Sequence, residues 1–408
     1  MRILFLTPQF PYPPHKGTTL RNYHLIGGLA ARHEIDLLTF VESKDELRRP
    51  TPLSTLCRRI DGVVVPCRGL ARRLADTFLS RWPDMGLRLW SPTFASKLAA
   101  WLAGTDYDIV QVEGIELARY ILPAHHSSPA TRHPLLVFDD HNCEYLLQQR
   151  TCETDIKIPS RWTGAAYSFV QWRKLRAFES AICRAADHVV AVSDADADAL
   201  QRLVPGLTPT VVPNGIDVAS YAPTPQPPPP FHGRGGADLV FSGTMDFRPN
   251  VDAALWFALE VLPLVRQEEP DARFVIVGQK PHRRLDVLRD RADVVLTGTV
   301  EDTRPYIAGA AIYVVPLRMG GGTRFKILEA AAMSRAIVST SLGREGFPVE
   351  NGRELVIADS PHLFADAVVA LLRDSSRRAE LGATARTFVE AYDWKNIIPR
   401  LEAVYGGQ

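Results

Sequence analysis

A run of three glycines stands directly before an amphipathic segment in GGGTRFKILEA, residues 320–330. Glycine lets the backbone approach a ligand closely, and a helix that begins here would present unpaired N–H groups and a partial positive charge. Such a helix start binds anions, phosphate groups in particular. The residues of this stretch that we expect to bind a phosphate-bearing ligand are Gly321, Gly322, Thr323, Arg324 and Lys326. A loose turn followed by a solvated helix face remains the alternative.

Two further loops that follow apolar runs carry glycine together with small hydroxyl or basic side chains. The loop in FSGTMDFRPN contains Gly243, Thr244 and Arg248. The loop in LTGTVED contains Gly298. In open α/β sheets, ligands bind beyond the carboxyl ends of the strands, where such loops meet. Each loop alone is a weak signal, but together with the glycine run they favour a phosphate-bearing ligand.

Polar side chains also end two apolar runs of the first half. Glu113 ends DIVQVEG, and DDHNCEYL contains Asp139 and His141. A carboxylate and an imidazole at one sheet edge can orient or deprotonate a hydroxyl group. The alternative is that they cap the following helix and make ordinary hydrogen bonds. No Ser-His-Asp order, H-E-x-x-H motif or metal-ligand cluster is evident, so hydrolytic and zinc mechanisms gain no support.

The loop after the first apolar run, TPQFPYPPHKGTTLRNYH, lacks the G-x-G-x-x-G pattern of dinucleotide-binding domains. It contains Lys16, Gly17 and Arg21 around an expected helix start. These residues form either a second contribution to an anion site or an N-terminal helix cap with incidental charges.

Short apolar runs alternate with helical stretches along the first half. The strand candidates are RILFLT (2–7), IDLLTF (35–40), GVVVPC (62–67), DIVQVEG (108–114), LLVFDD (135–140), HVVAVS (188–193) and TVVP (210–213). The longest helical stretch covers 161–186, and a helix over 18–32 follows the first strand. This alternation predicts a doubly wound parallel sheet.

A segment dense in proline and glycine, 221–236, interrupts this alternation and is typical of an exposed connector. The strand candidates after it are ADLVFSG (237–243), RFVIVG (273–278), DVVLTG (293–298), AIYVVP (311–316), AIVST (336–340) and ELVIA (354–358). We therefore predict an α/β fold of two doubly wound Rossmann-like domains facing a cleft. The predicted limits are 1–212 and 213–390, with a C-terminal helix in 391–408 that packs back on the first domain.

Length, charge and cysteine usage limit the possible classes of protein. A chain of 408 residues exceeds one ordinary core, and a net charge of +1 argues against nucleic-acid binding. The five cysteines form no C-x-x-C pair, which fits reduced thiols in the cytoplasm. The first apolar run is too short for a signal peptide, and no segment has the roughly 20 continuous apolar residues of a spanning helix. We expect a cytoplasmic protein.

Residues 48–97 contain ten Lys or Arg residues against three Asp or Glu, interleaved with large apolar side chains. A cationic amphipathic patch of this kind docks on anionic lipid, so an anionic membrane surface is an expected partner. The protein would then be peripheral on the inner face of the plasma membrane. A solvated helix with an ordinary core stripe is the alternative.

The order of several motifs resembles that of GT-B retaining glycosyltransferases of the family 4 type, also called glycosyl transferases group 1. The motifs are VVPNGID (211–217), FSGTMDFRPNVDAALWF (241–257), RFVIVG (273–278), LTGTVEDTRPYIAGAAIYVVPL (296–317) and GGGTRFKILEAAAMSRAIVSTSLGREG (320–346). Within the family the chain looks closest to sugar transferases of exopolysaccharide loci, including those that accompany PEP-CTERM/exosortase systems.

The resemblance implies that a nucleotide-diphosphate sugar binds as co-substrate, without a cofactor, mainly against the C-terminal domain. Glu329 matches the second glutamate of the family's E-x(7)-E pattern, which hydrogen-bonds the ribose. Gly298 and Val300 match the segment whose backbone touches the base. Arg248 lies near a position where the family often has a cation on the diphosphate, and Gly17 matches a first-domain loop that closes over the phosphates.

Two positions depart from the family pattern. Gly321 stands where the first glutamate of E-x(7)-E would grip the donor sugar, so backbone N–H groups must do this or the donor preference differs. The family often carries a histidine after the fourth strand. This chain has Glu113 there, and His141 follows the next strand.

The function expected from the resemblance is a metal-independent transfer of a hexose, with retention, from the nucleotide-sugar to a glycan or lipid-linked acceptor in exopolysaccharide biosynthesis. The residues expected to act in catalysis are His141, Glu113, Arg248 and Lys326. Two other functions stay open at this point: another GT-B nucleotide-sugar enzyme such as an epimerase, and a catalytically inactive nucleotide- or glycan-binding module.

Overall fold

The computed structural model describes residues 1–14, 17–122, 133–221, 237–320 and 324–406. The chain divides into two compact units: Met1–Asn214 together with Ile397–Gln408, and Gly215–Asn396. From the sequence we placed the domain limits at residues 212 and 390. In the structure the chain leaves the first unit after Asn214 and returns to it at Ile397. Most of the proline- and glycine-rich connector, 222–236, lies outside the described residues.

One parallel sheet forms the centre of the first unit. Its strands are β1 (Arg2–Thr7), β2 (Glu34–Val41), β3 (Arg59–Val64), β4 (Ile109–Glu113), β5 (Leu135–Asp140), β6 (His188–Ala191) and β7 (Thr210–Val211). They lie in the order β3-β2-β1-β4-β5-β6-β7, and every neighbouring pair is parallel. The central strands are buried and mostly apolar, as expected when both faces of a sheet are covered.

Helices connect these strands. They are α1 (Gly17–Leu29), α2 (Asp45–Arg48), α3 (Leu53–Leu56), α4 (Leu70–Leu79), α5 (Asp84–Arg88), α6 (Pro92–Gly104), α7 (Ala118–Ile121), α8 (Glu144–Asp155), α9 (Trp162–Ala185) and α10 (Asp194–Leu203). Among them α9 was predicted over 161–186.

The second unit repeats the plan with a six-stranded parallel sheet. Its strands are β8 (Asp238–Ser242), β9 (Arg273–Val277), β10 (Val294–Leu296), β11 (Ile312–Val315), β12 (Ile337–Ser339) and β13 (Val356–Ile357). They lie in the order β10-β9-β8-β11-β12-β13. Its helices are α11 (Arg248–Trp256), which continues through a π-helical turn (Phe257–Val261) into α12 (Leu262–Glu268), then α13 (Arg304–Gly309), α14 (Phe325–Ala332), α15 (Pro361–Arg373) and α16 (Ser375–Val389).

Both sheets have the strand order of a doubly wound fold, which confirms the predicted class. In each sheet the chain first runs to one side and then crosses to the other. The crossing leaves a switch point between β1 and β4 in the first sheet and between β8 and β11 in the second. Ligands of such sheets bind beyond the carboxyl ends of the strands at this point. The loops that follow these four strands are therefore where a ligand is expected in each unit.

The last helix, α17 (Trp394–Gly406), packs against α1 in the first unit. A Cβ atom added at Gly28 would lie 2.5 Å from Ile398 Cγ1, so only glycine permits this close approach. Glu402 Oε1 lies 3.1 Å from His33 Nε2, and the same carboxylate pairs with Arg32. The helix is thus held to the first unit by both packing and charge.

Residues 48–97 are divided among several short helices, strand β3 and the start of α6 rather than forming one amphipathic helix. Several cations of this segment form ion pairs, as Lys97 does with Asp61 at 2.6 Å, and Phe94 is fully buried. Phe78 and Leu79 at the end of α4 are 76% and 86% exposed. In the described part of the chain, no helix combines the length and the apolar character that crossing a membrane requires.

Candidate active site

Glu113 and His141 form a hydrogen-bonded pair at the carboxyl end of the first sheet. Glu113 is the last residue of β4, and His141 directly follows β5. The parallel register places Glu113 opposite Asp139, two residues before the histidine. His141 Nε2 lies 2.7 Å from Glu113 Oε2, and Glu113 is fully buried. The sheet topology therefore brings together two residues that are 28 positions apart in the sequence.

Arg21 is buried beside this pair. Its Nε and Nη2 donate to Asp139 Oδ2 at 3.0 and 2.7 Å. Its other hydrogen bonds reach the carbonyl oxygens of Val212 at 3.0 Å and Pro213 at 3.1 Å, and Asn214 Oδ1 at 3.2 Å. The guanidinium has five N–H groups, and these five contacts occupy all of them. We expected Arg21 to bind the donor, but this geometry leaves no N–H for a phosphate and gives the residue a structural role.

The charged groups around His141 raise its pKa. Burial lowers the pKa of His141, but the hydrogen bond and charge of Glu113, with a contribution from Asp139, outweigh it and raise the pKa above its usual value. Burial also raises the pKa of Asp139 to about 6, although Arg21 opposes this shift. An imidazole in this setting can accept a proton or a hydrogen bond from a hydroxyl group.

Ligand atoms of Glu113, Asp139 and His141 lie within 4.8 Å of one another, so distance alone would permit a metal ion. The same groups already have partners, because His141 bonds to Glu113 and Arg21 bonds to Asp139. A dication next to a buried guanidinium would meet strong repulsion at low dielectric constant. This donor set therefore fits a His141–Glu113 hydrogen bond beside an Arg21–Asp139 ion pair better than a metal ion.

Glu179 of α9 fixes the start of α8, the helix that follows His141. Its two carboxylate oxygens accept the backbone N–H groups of Glu144 and Tyr145, each at 2.8 Å. Asp140 faces the same carboxylate, and burial together with Glu179 raises the pKa of Asp140 well above its usual value. A protonated Asp140 can share a proton with Glu179 instead of repelling it. Sequence reasoning missed Glu179, which lies far along the chain in a long helix.

Lys326 is the central cation at the switch point of the second sheet. It lies in the first turn of α14, after β11. Its Nζ lies 2.9 Å from Asn250 Oδ1 and 4.1 Å from the centre of the Phe241 ring. Asn250 in turn donates from Nδ2 to the carbonyl oxygen of Thr244 at 3.0 Å. The contacts link the loop after β8 to the helix after β11.

Little negative charge lies close to the ammonium group of Lys326 to balance it. Burial and, to a smaller extent, the charge of Arg324 together lower the pKa of Lys326 to about 7, although Glu329 partly opposes both. An anion bound beside Nζ would favour the charged form and raise the pKa again. A perturbed amine at a sheet switch point is the kind of group expected at a functional site. The geometry suits a ligand that brings negative charge.

Two glycines allow the close approach on which this arrangement depends. Gly243 has a φ of 152°, and a Cβ atom there would lie 2.7 Å from Asn250 Nδ2 and 3.2 Å from Lys326 Nζ. A Cβ atom at Gly278 would lie 1.7 Å from the carbonyl oxygen of Gly243. Neither position accommodates a side chain, so both glycines are structural requirements of the Lys326–Asn250 contact.

Glu329 lies one turn after Lys326 in α14 and accepts a hydrogen bond from the Tyr221 hydroxyl at 3.0 Å. Burial raises the pKa of Glu329, while Tyr221 and Lys326 lower it. The partner Tyr221 was missed from the sequence because it stands next to the proline-rich connector, far from Glu329 in the chain.

The structure places the other predicted residues of the second unit as follows. Arg248 begins α11 and is exposed, as is Thr244, whereas Arg324 is buried at the start of α14. Gly298 follows β10 with a positive φ of 69°. Val300, in the same loop, packs against the core of the second unit. The contacts described above join Gly243, Thr244 and Lys326 through Asn250, while Gly298 and Val300 belong to the separate loop after β10.

Gly17 is the first residue of α1 and is exposed. Gly321, Gly322 and Thr323 lie outside the described residues.

Comparison with known proteins places both halves of the chain in one group. Residues 16–220 match the family model of Glycosyltransferase Family 4, and residues 236–374 match that of Glycosyl transferases group 1. A phosphatidyl-myo-inositol mannosyltransferase of Mycolicibacterium smegmatis is 30% identical over 203 residues, 48% of this chain and 50% of that protein. An uncharacterized 44.6 kDa protein in the cps region of Klebsiella pneumoniae is 27% identical over 169 residues, 39% of this chain and 44% of that protein. The chain spans about half the length of the curated relatives it matches.

Solved structures show the same fold along the whole chain. HepE of Anabaena in complex with UDP and glucose aligns with a TM-score of 0.66 and 15% identity, covering 100% of both chains. Sucrose-phosphate synthase of Thermosynechococcus elongatus aligns with a TM-score of 0.73 and 16% identity, covering 100% of this chain and 99% of that one.

Two Rossmann-like α/β units, each with a polar cluster at the switch point of its sheet, define an α/β protein of the GT-B type. The family 4 match extends over half of the chain, and the chain belongs to glycosyltransferase family 4. The resemblance noted in the sequence is thereby confirmed at the level of fold and family.

Proposed function

We propose that the protein transfers a hexose from a nucleotide-diphosphate sugar to a glycan or lipid-linked acceptor, with retention at the anomeric carbon. The observation that carries the proposal is the Lys326–Asn250 contact at the switch point of the second sheet. This contact holds an amine of depressed pKa where α/β folds bind phosphate-bearing ligands. No protein cofactor is needed for this reaction, and the nucleotide-sugar is a co-substrate.

The enzyme must stabilise the diphosphate that leaves in this reaction. As the bond between the anomeric carbon and the phosphate oxygen breaks, negative charge grows on the phosphates and positive charge on the sugar ring. Cations that contact the phosphates more strongly in the transition state accelerate this step. In the second unit we assign this role to Lys326, assisted by Arg324 and Arg248, with Glu329 on the ribose and the Gly298–Val300 backbone near the base.

The acceptor hydroxyl must lose its proton as the new glycosidic bond forms. In a retaining transfer the oxygen of the departing phosphate takes this proton, so the atoms balance without a protein base. We assign His141 the task of holding the acceptor hydroxyl, with Glu113 holding His141. A neutral imidazole accepts a hydrogen bond through one ring nitrogen while the other donates. The reaction so written needs no metal ion, and unchanged turnover after EDTA treatment would support this.

The names of relatives supply candidates for donor and acceptor. Two of the matched proteins are a phosphatidyl-myo-inositol mannosyltransferase and a GDP-mannose:cellobiosyl-diphosphopolyprenol alpha-mannosyltransferase. A structural neighbour was solved with UDP-glucose. These names favour a mannose or glucose donor and a lipid-linked acceptor. The matched Klebsiella protein of the cps region supports a role in surface polysaccharide synthesis, which sugar analysis of a strain lacking the gene would test.

A lipid-linked acceptor would require the enzyme to work at a membrane surface. Phe78 and Leu79 project at the end of α4, and the exposed cations Arg72, Arg73 and Arg81 lie within a few residues of them. Apolar side chains flanked by cations complement a membrane of anionic lipids. We therefore propose that the protein is cytoplasmic and docks peripherally on anionic lipid through this end of α4. Co-sedimentation with phosphatidylglycerol vesicles should exceed that with phosphatidylcholine vesicles and should fall in Phe78→Ser/Leu79→Ser. Equal binding to both lipids would contradict it.

The experiment that tests the function is a panel of UDP-glucose, UDP-galactose, UDP-N-acetylglucosamine and GDP-mannose, followed by mass spectrometry. Release of nucleoside diphosphate with hexose transfer or donor hydrolysis supports a glycosyltransferase. Conversion of one nucleotide-sugar into its epimer would instead establish an epimerase. Tight donor binding without any product would indicate an inactive binding module.

A further inference from the structure

A buried glutamine interrupts the apolar pattern of the central strand β4. Gln111 is fully buried, and its neighbours across the sheet are Phe5 and Val137. Central strands of parallel sheets are usually continuous apolar runs, and a buried amide is costly unless it is hydrogen-bonded. Gln111 shares its face of β4 with Glu113, because residues two apart along a strand point the same way.

Both ends of the Gln111 amide are used. Its Nε2 donates to Glu113 Oε1 at 2.9 Å, and its Oε1 accepts from the Tyr405 hydroxyl at 3.2 Å. Tyr405 lies in α17 and is buried. The remaining carboxylate oxygen of Glu113, Oε2, lies 2.7 Å from His141 Nε2. Four side chains from three segments therefore form one hydrogen-bonded chain that ends on the imidazole.

The donor and acceptor roles in this chain are fixed by its chemistry. An ionised Glu113 only accepts, so the amide of Gln111 must turn its NH₂ group toward the carboxylate and its oxygen toward Tyr405. Tyr405 must then donate. Glu113 likewise needs an N–H from His141, which places the ring proton on Nε2 and leaves Nδ1 as the acceptor atom of the neutral imidazole. Nδ1 has no hydrogen-bond partner within the described residues.

We infer that Gln111 and Tyr405 are positioning residues that act through Glu113 to fix the tautomer and orientation of His141. The inference rests on the proposed function, in which His141 Nδ1 holds the acceptor hydroxyl. It extends that function, because it makes the end of the C-terminal helix part of the support of the imidazole.

The anchoring of α17 matches this role. Ile398 packs into the space above Gly28, and Glu402 bonds to His33. The His33 ring also lies edge-on to the Tyr405 ring, with centres 6.5 Å apart. These contacts hold the Tyr405 hydroxyl in place, whereas a lone tyrosine on a fraying terminal helix would not hold a fixed position.

The direct test measures the tautomer and titration of His141 by ¹⁵N NMR in the full chain, without any substrate. The charged groups that face His141 are Glu113 of β4, Asp139 of β5 and Arg21 of α1. In the wild type we expect a proton on Nε2. In Tyr405→Phe and Gln111→Leu, the Glu113 carboxylate is no longer held toward His141, so its hydrogen bond and charge raise the pKa of His141 less. His141 should then titrate at lower pH, with a detectable fraction of the other tautomer. Unchanged titration and tautomer in both variants would overturn the inference.

Kinetics give the second readout. Both variants should lower kcat about 3- to 30-fold, a part of the ~100-fold that misplacement of a positioned reactant can cost, with little change in donor KM. The matched control is Tyr107→Phe, which removes a buried hydroxyl that bonds to Asp36 in the same unit. It should leave the titration of His141 and kcat unchanged.

Two further outcomes separate the inference from the function on which it rests. If the wild type shows no turnover, the proposed function fails, while the NMR result still decides whether the hydrogen-bonded chain fixes His141. If Gln111→Leu does not fold, Tyr405→Phe alone decides, because it removes a single hydroxyl oxygen. Loss of kcat in Tyr107→Phe equal to that in Tyr405→Phe would show a general packing effect and overturn the inference.

Discussion

Lys326 Nζ and Asn250 Oδ1 lie 2.9 Å apart, and this contact joins the first turns of α11 and α14 at the switch point of the second sheet. The amide oxygen is a neutral partner, so it orients the amine without neutralising it. Gly243 passes beside both groups, and no side chain fits there. The arrangement leaves a positive charge that is costly until an anion arrives.

Donor binding should take up a proton above neutral pH. Burial lowers the pKa of Lys326 to about 7, so at pH 8 most of the free enzyme carries a neutral amine. A bound diphosphate favours the charged amine and raises its pKa, so the complex binds one proton more than its separate components. Calorimetry of UDP and GDP binding in buffers of different ionisation enthalpy measures this uptake.

The uptake should disappear in Lys326→Met and persist in Lys395→Met, which changes an exposed lysine of the same unit. A wild-type complex that forms at pH 8 without proton exchange would contradict the assignment of Lys326 to the diphosphate.

Glu329→Gln should raise the donor KM more than it lowers kcat. The carboxylate is proposed to accept hydrogen bonds from the ribose, and a hydrogen bond to a charged group contributes about 1.5–3 kcal/mol, or about 10- to 100-fold in affinity. Tyr221→Phe frees the Glu329 side chain without removing it and should have a smaller effect in the same direction. Steady-state kinetics with the active donor checks both, with the exposed Glu260→Gln as control. A fall in kcat at constant KM would argue against ribose binding.

Glu113→Gln should shift the acid limb of the pH profile of kcat/KM to lower pH. The hydrogen bond and charge of Glu113 raise the pKa of His141, so their removal lowers that pKa and keeps the imidazole neutral in more acidic solution. The maximal rate should still fall, by roughly 10²-fold, because the ring loses its orientation. Glu34→Gln, at an exposed position of β2, is the control. An unchanged acid limb would show that a group other than His141 causes it.

Arg21→Met should destabilise the protein by about 3–5 kcal/mol, because it leaves the buried carboxylate of Asp139 without its partner. Asp139→Asn in the same background should recover part of the loss, since the uncompensated charge is removed. Urea unfolding measures both. Donor affinity of the folded fraction should not change. A stable Arg21→Met variant with weakened donor binding would restore the role first predicted from the sequence.

The regular part of the fold was accessible from the sequence because buried parallel strands are continuous apolar runs. Strand β5 was predicted over the same six residues, Leu135–Asp140, that form it. Strand β3 was predicted at 62–67 but runs from Arg59 to Val64. This strand lies at the sheet edge and is only half-buried, so its apolar residues do not fix its limits. Pairing of Arg59 with Asp36 across the sheet sets the register instead.

The residues of the two candidate sites also differ in whether the sequence alone reveals them. Glu113 and His141 could be found because polar residues at the ends of apolar runs stand out. The partners Glu179, Tyr221 and Tyr405 could not, since each comes from a distant segment and only the tertiary fold brings it close. Gln111 carried a signal that was overlooked: a polar residue inside DIVQVEG demands a buried partner. The role of Arg21 was misjudged because a cation near a glycine says nothing about which acceptors surround it.

The most direct test of the central claim is single-turnover release of nucleoside diphosphate from the active donor by wild type, Lys326→Met and Lys326→Arg. If the amine stabilises the leaving diphosphate, the methionine variant should release it about 10²- to 10³-fold more slowly, as expected when one preorganised donor to a developing anion is lost. The arginine variant, which keeps the charge, should recover part of the rate. Equal release rates in wild type and Lys326→Met would contradict the account.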